Sequence, residues 1–473
     1  MMAVKGNIDT VSIIKTFISN GSGVKYKLLA QGIEAAIRDG SIAHGTKLPP
    51  HRILADKIGV TAGTVSRAYG ELERMGLVVA RTGDGTFVRE RNQRRPQDAG
   101  FRNFVDFTDI QNDMSRNMHI SGGEAEILAL SLRQLSDDYA CLQELMCYTP
   151  EEGLLRHRQS GAKWLSYREF QVSSQQIICV NGSQHGLFVV LVALLRSGDT
   201  LVTEHLTYPG LISAARHLGI RVVGLDMDEE GLLPESLKEV CRKNRITALY
   251  CTPTLQNPTT AVMSKARRLN IARICRENNL IVIEDETHAV LLPLRPVPIS
   301  HFVPERGVLI GGMSKSVAAG LRVGYISAPV TMISRISAAV RNSCWMATPL
   351  MLELASRWIE NGTAQVMVMQ QSEEISRRQS IVTGLLQSLH YRTHPCSPHF
   401  WIEIPAPWHA DEIERRLREQ GHLVSTAERF SVGRGTLTEY LRISVSNSPD
   451  SDQALHAGVI AVVEVLQTGS DSL

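Results

Sequence analysis

Seven short apolar runs between residues 176 and 327, most of them separated by stretches of helical period, constrain this chain more than any other feature. They lie at 176–180, 200–203, 221–225, 248–251, 280–283, 308–310 and 323–327. Helical stretches at 186–196, 211–218 and 265–278 fall between them. Alternation of this kind predicts an α/β domain with a mostly parallel sheet. In such sheets ligands bind beyond the carboxyl ends of the strands, so the residues that follow each run are the informative ones.

After the first run comes Asn181-Gly-Ser-Gln-His-Gly, opening a helix. Free backbone N–H groups and the positive end of a helix suit a phosphate there, and Ser183 adds a hydroxyl. Tyr208-Pro-Gly follows the second run, Asn257-Pro-Thr-Thr the fourth and Glu284-Asp285-Glu286 the fifth. Gly311-Gly-Met-Ser314-Lys315 and Gly320-Leu-Arg322 follow the sixth. Singly each has a plain explanation: a solvated lysine, an aspartate capping a helix. Together they supply a lysine, an aspartate, an asparagine, a stacking tyrosine and a hydroxyl/arginine cup for phosphate. Pyridoxal phosphate needs that combination. Its aldehyde takes an amine, its ring nitrogen a carboxylate, its ring oxygen a donor, and its phosphate N–H groups and a cation.

These residues, in this order, resemble the fold-type I aminotransferases of the aspartate aminotransferase class. The resemblance runs from about Tyr148 to the C-terminus and is most specific over MSKSVAAGLRVGY. It implies that Lys315 is the Schiff-base lysine, the catalytic residue. It implies that Asp285 pairs with the pyridine nitrogen, Asn257 with the ring oxygen, and that Tyr208 stacks on the ring. Gly182, Ser183, Gln184, Ser314 and Arg322 hold the phosphate by the same resemblance. Tyr148 matches a tyrosine that reaches the cofactor phosphate of a neighbouring subunit, and Arg442 matches the arginine that clamps a ligand carboxylate. Three positions depart from the family pattern. Thr287 and His288 stand where relatives carry a tyrosine, so either His288 substitutes or catalysis is weak. Thr260 ends a turn that usually ends in glycine, and His185 replaces a frequent glutamine. The domain is expected over 125–473, its large part at about 150–340. After a helical stretch from 350 to about 390 comes a small α/β part (about 375–473), with strands at 400–404 and 441–445 and a helix at 411–420.

The N-terminal region reads differently. Residues 21–95 carry 13 Lys/Arg against 7 Asp/Glu, whereas the rest carries 37 against 41. A basic module on a mildly acidic body points to a polyanion at one end. Apolar spacing predicts helices over 26–40, 51–58 and 61–75, with Gly59 at the turn between the second and third and Thr61 as N-cap. Two short strands at 77–81 and 86–89 flank Thr82-Gly-Asp-Gly, a hairpin signal. This is the element order of a winged helix-turn-helix. Arg52 is the candidate phosphate contact, and Thr61, Thr64, Ser66 and Arg67 are the candidates near bases or backbone of a double-stranded DNA operator. The stretch LPPHRILADKIGVTAGTVSRAYGELERMGLVVARTGDGTFV resembles the GntR family of bacterial transcriptional regulators, although Ala62 stands where many relatives have arginine. The DNA-binding domain is expected over 20–90 and a partly flexible linker over 91–124.

A GntR-type winged helix joined to an aminotransferase-like body resembles the MocR subfamily of regulators. That resemblance implies a head-to-tail homodimer whose body binds pyridoxal phosphate and senses a small amino compound, or the cofactor itself, to act on DNA. The alternative is a working aminotransferase that moves amino groups between an amino acid and a 2-oxo acid. The longest apolar run, 187–195, is too short to cross a bilayer. The first 15 residues lack a secretory leader pattern, and the eight cysteines form no C-x-x-C pair. The expectations are a cytoplasmic chain with free thiols, no membrane contact and no metal.

Overall fold

The structure, a computed structural model, describes residues 24–38, 41–43, 45–74, 77–81, 85–88, 111–406, 408–433, 439–447 and 450–467, with Thr10, Val11 and Ile14. It divides into two units, Met1–Ala99 and Gly100–Leu473.

In the first unit, helices Lys25–Arg38, His51–Ile58 and Ala62–Arg74 precede strands β1 (Val78–Arg81) and β2 (Gly85–Val88). The strands pair antiparallel, Val78 opposite Val88. Leu29, Ile33 and Ile37 of the first helix and Val65, Ala68, Tyr69 and Leu72 of the third are buried in one core. Each set recurs at three- and four-residue intervals, which places it on one helix face. Gly59 ends the second helix in the left-handed region at φ 71°, and its N–H donates to Ala55 O. The hairpin turn at 82–84 and the last two residues of the first expected helix, 39–40, lie outside the described residues.

The second unit is built on a seven-stranded sheet. Its strands are β4 (Ile177–Val180), β5 (Thr200–Glu204), β6 (Arg221–Leu225), β9 (Ala248–Cys251), β10 (Ile281–Asp285), β11 (Gly307–Gly312) and β12 (Gly324–Ser327). A hairpin of β7 (Met227–Asp228) and β8 (Gly231–Leu232) lies between β6 and β9. The order across the sheet is β4-β12-β11-β10-β9-β5-β6, and β12 runs antiparallel to both its neighbours. All seven runs read from the sequence are these strands. Because β12 alone in this sheet is reversed, its beginning lies at the edge where the other six end. Arg322 therefore joins the residues that follow β4, β5, β9, β10 and β11.

Beneath the end of β10, Glu284 and Glu286 point away from Asp285, as alternation along a strand requires. Arg268, itself fully buried, lies 3.4 Å from Glu284 and 3.7 Å from Glu286, and the backbone N–H groups of Ile299 and Ser300 donate to Glu284.

The small layer is a sheet of β13 (Tyr391–Arg392), β14 (His399–Glu403), β17 (Tyr440–Ser444) and β16 (Ser425–Thr426), in that order. Two expectations change here. The helical stretch from 350 to 390 is two helices, Pro349–Glu360 and Thr363–Leu385, separated at Gly362 with φ 85°. The linker expected over 91–124 does not include 111–123. Residues 91–110 lie outside the described residues, but β3 (Asn112–Asp113) pairs in parallel with β15 (His422–Leu423), and Met114 and Ile120 are buried in the core of the small layer. The pairing partners are about three hundred residues away, so no local period announces them.

Candidate functional site

Five loops at one sheet edge bring together most of the residues singled out in the body. At the end of β4, Gly182 has φ 84°, and the helix Ser183–Leu194 begins immediately. A side chain at Gly182 would have its Cβ 2.7 Å from Arg322 Nη2. Cβ atoms at Gly312 and Gly324 would come within 2.2 Å of Ser183 Oγ and 2.8 Å of the Gly182 carbonyl carbon. The cup is therefore closed to side chains on three sides. Arg322, a non-glycine residue in the left-handed region at φ 52°, donates from Nη1 to Ser314 Oγ at 3.1 Å. Hydroxyls, a guanidinium and free helix N–H groups converge, which is the donor set a phosphate takes. Gln184 Oε1 is buried at this edge without a partner.

Tyr208 caps the helix Pro209–His217, and a Cβ on Gly210 would strike its ring at 2.3 Å. Asp285 accepts from Tyr250 Oη at 3.0 Å and from Thr287 N and Oγ1 at 3.0 and 2.6 Å. Burial raises its pKa, while the bonds from Thr287 and Tyr250 pull the other way. Lys315 follows β11, and its Nζ donates to the carbonyl of Asn117. Burial, then the charges of Arg442 and Arg322, pull its pKa down to about 8.

Arg442 lies in β17 and is buried. Its Nη1 donates to Asn257 Oδ1 at 2.8 Å and its Nη2 to Ser115 O at 2.5 Å, while its Nε has no partner. Its guanidinium carbon stands 4.9 Å from the centre of the Phe430 ring. Asn257 thus lies between the large layer and the small one, tied to the cation expected to hold a ligand carboxylate.

The departures from the family pattern have physical readings. Thr287 is engaged with Asp285. His288 Nε2 is buried and unpartnered, and burial together with the charges of Lys315 and Arg442 pulls its pKa down to about 3. The ring is neutral at physiological pH. Thr260 sits at φ 67°, the conformation in which glycine is unstrained. His185 Nδ1 accepts from Asn181 N at 3.1 Å, closing the turn before the phosphate cup.

Tyr148 is not brought to this edge. It is 81 % exposed, with its ring 5.5 Å from that of Trp345. In the first unit Arg52, Thr61, Ser66 and Arg67 are exposed and Thr64 is half-buried. Thr61 Oγ1 accepts from Thr64 N at 3.2 Å, the expected cap.

Sequence reading missed Tyr250, Ser115, Asn117 and His399. Tyr250 alone carried a signal, a polar aromatic near the end of a buried strand. His399 Nε2 lies 3.0 Å from Pro258 O and its Nδ1 2.9 Å from Asn117 Nδ2. Since Pro258 O only accepts, the ring proton sits on Nε2 and Nδ1 accepts from the amide. Among the described residues no cluster of side chains suits a metal ion, and no helix is long and apolar enough to cross a membrane.

Comparison with known proteins agrees with this geometry. Residues 137–457 match the aminotransferase class I and II family, and residues 25–88 match the gntR family of bacterial regulatory proteins. The chain is 30 % identical to the HTH-type transcriptional regulator YdeF of Bacillus subtilis (strain 168), over 93 % of this chain and 94 % of that one. It is 23 % identical to the HTH-type transcriptional regulator TauR of Rhodobacter capsulatus, over 87 % and 90 %. A multiple substrate aminotransferase from Thermococcus profundus shares the fold with a TM-score of 0.70 at 20 % identity, over 78 % of this chain and 94 % of that one. LysN, an α-aminoadipate aminotransferase from Thermus thermophilus, does so with a TM-score of 0.69 at 20 % identity, over 77 % and 94 %. The chain belongs to the aminotransferase class I and II family and carries a gntR-family domain ahead of that body, the arrangement of MocR-like regulators.

Proposed function

We propose that this protein is a DNA-binding transcriptional regulator whose aminotransferase-like body holds pyridoxal phosphate and senses a small amino compound or the cofactor itself. The observation that carries the reading is one edge of one sheet bearing an amine, a half-buried carboxylate and a cup of donors suited to phosphate, in a chain that also carries a gntR-family domain. The cup fits the cofactor: its glycines leave no room for side chains, and its donors suit a dianion. When bound, pyridoxal phosphate supplies an aldehyde that condenses with amines and a ring that withdraws electrons.

The chain's own residues do the rest. Gly182, Ser183, Gln184, Ser314 and Arg322 bind the phosphate. Tyr208 covers the ring, and Asn257 orients the ring oxygen. Asp285, held by Tyr250 and Thr287, keeps a proton on the ring nitrogen. Lys315, with its lowered proton affinity, releases its proton more readily than a solvated lysine and so offers more of the neutral amine, and Arg442 takes the carboxylate of an effector that has one. The neutral His288 stands where the family tyrosine would donate. It cannot act as a phenol, and this favours sensing over rapid turnover.

The outward-facing Tyr148 suits a residue that completes the phosphate site of a second copy, so the working form is a head-to-tail homodimer. Arg52 holds operator phosphates, and Thr61, Thr64, Ser66 and Arg67 lie at the DNA surface. The DNA-binding domain occupies 20–90, the body takes in 111–123 together with 125–473, and the compartment is the cytoplasm.

The test is borohydride reduction of cofactor-saturated protein followed by peptide mapping, with operator binding measured beside it. A reduced adduct at Lys315 is expected. An effector should change operator affinity in the wild type and not in Lys315→Ala. Equal responses in both, or no adduct, would reject the sensor. Multiple rapid turnovers with a keto acid would identify an aminotransferase instead.

A further inference from the structure

Lys315 and Arg442 each donate to a backbone carbonyl of one short stretch of the chain. Arg442 Nη2 donates to Ser115 O, and Lys315 Nζ donates to Asn117 O. The two carbonyls are two residues apart, on a segment that lies between the large layer and the small one. Beyond Asp113 the segment is docked by single hydrogen bonds to several elements rather than by a continuing strand ladder. Met114 N donates to Leu423 O at 2.9 Å and Ser444 N to Met114 O at 2.8 Å. Ser425 Oγ donates to Ser115 O at 2.9 Å, Asn117 Nδ2 to His399 Nδ1 at 2.9 Å, and Met118 N to Ser446 Oγ at 2.7 Å. Ser115 and Asn117 are each 7 % exposed, and Asn117 Oδ1 is buried with no donor.

A peptide carbonyl is a poor substitute for an anion. A carboxylate brings a full negative charge that a peptide oxygen lacks, and it can take two parallel N–H bonds from a guanidinium whose adjacent N–H groups are free. A carboxylate arriving at Arg442 competes with Ser115 O for Nη2, and engagement of the Lys315 amine removes the donor from Asn117 O.

We propose that residues 113–119 form a strap that occupies the ligand seat through the Ser115 and Asn117 carbonyls and is displaced when a compound bearing both an amine and a carboxylate binds there. The inference rests on the reading of Lys315 and Arg442 given above and adds the element that reports their occupancy. Asn117 is a positioning residue in this scheme: its amide on His399 holds the strap down and so opposes the ligand. A docked state that excludes ligand lowers apparent affinity by the fraction of molecules in it, and loosening that state raises affinity.

The test is hydrogen exchange on peptides spanning 111–121 of the full chain, with visible spectra of the bound cofactor taken in parallel. Loading with pyridoxal phosphate should speed exchange of the Met118 amide. Those of the common L-amino acids that change the spectrum should then speed exchange at Met114 and Ser115 as well, and methylamine, which lacks a carboxylate, should not. Asn117→Ala should speed exchange across the strap and tighten amino acid binding by about threefold or more. Weaker binding in Asn117→Ala would make that residue a direct ligand contact, and unchanged binding would make the strap plain scaffold; either overturns the proposal, as does a spectral change without a change in exchange. A chain that stays colourless with pyridoxal phosphate rejects the cofactor reading by itself. The strap is then judged on that same chain with excess propionate, where faster exchange at Met114 and Ser115 supports it and unchanged exchange overturns it.

Discussion

Lys315 is half-buried and Arg442 buried, and loss of solvent acts on the two cations differently. Ammonium gives up its proton when burial and neighbouring positive charge make it costly, whereas guanidinium stays charged and must find acceptors. The Lys315 pKa of about 8 makes the neutral amine roughly 300-fold more abundant at pH 7 than in a solvated lysine. The initial rate of colour formation with pyridoxal phosphate should therefore rise with pH and level off above about pH 8; a rate still climbing steeply at pH 10 would contradict it.

Glu204 has the opposite character. It is buried at the end of β5, accepting from Thr252 N at 2.8 Å and Thr203 Oγ1 at 3.0 Å, and burial pushes its pKa up to about 7. A carboxyl whose folded pKa exceeds its unfolded one contributes stability at low pH and loses it as pH rises from about 4.5 through 7. Glu204→Gln should thus relieve on the order of 2–3 kcal/mol at pH 8 and little at pH 4, read from urea unfolding midpoints.

At the scale of elements, the reversed strand β12 matters most. Its antiparallel direction delivers Arg322 to the edge where parallel neighbours deliver Ser183, Asp285 and Lys315. The approach is close: a Cβ at Gly324 would lie 2.8–3.0 Å from the backbone of Gly182 and Ser183. Gly324→Ala should cost about 1–3 kcal/mol in stability and weaken pyridoxal phosphate binding, because the phosphate turn must move. Gly320→Ala meets nothing within 4 Å and serves as the control. Titration of the cofactor absorbance in both variants checks the pair; equal affinities would remove the close packing from the account.

At the scale of the molecule, the two units have separate cores, and the second contains every residue assigned to the cofactor seat. Residues 100–473 produced alone should fold, take up pyridoxal phosphate with the affinity of the full chain and lose operator binding. A tenfold loss of cofactor affinity on removal of 1–99 would show that the seat needs the first unit. Much of this organisation was legible in the chain itself. Strand and helix runs follow from local apolar period, so all seven strands of the large sheet and the three N-terminal helices could be placed. The loops after those strands named Lys315, Asp285, Asn257 and the phosphate turn, since in a parallel sheet those loops share an edge by construction. Local pattern carries no information about which distant segments meet. Tyr250 donating to Asp285 depends on which strands become neighbours in the large sheet, and His399 reaching Pro258 and Asn117, with the Ser115 and Asn117 carbonyls meeting Arg442 and Lys315, depends on the packing of the small layer against the large one. Period along a chain sets each element's inward face, but only assembled tertiary structure decides which polar atoms are enclosed together.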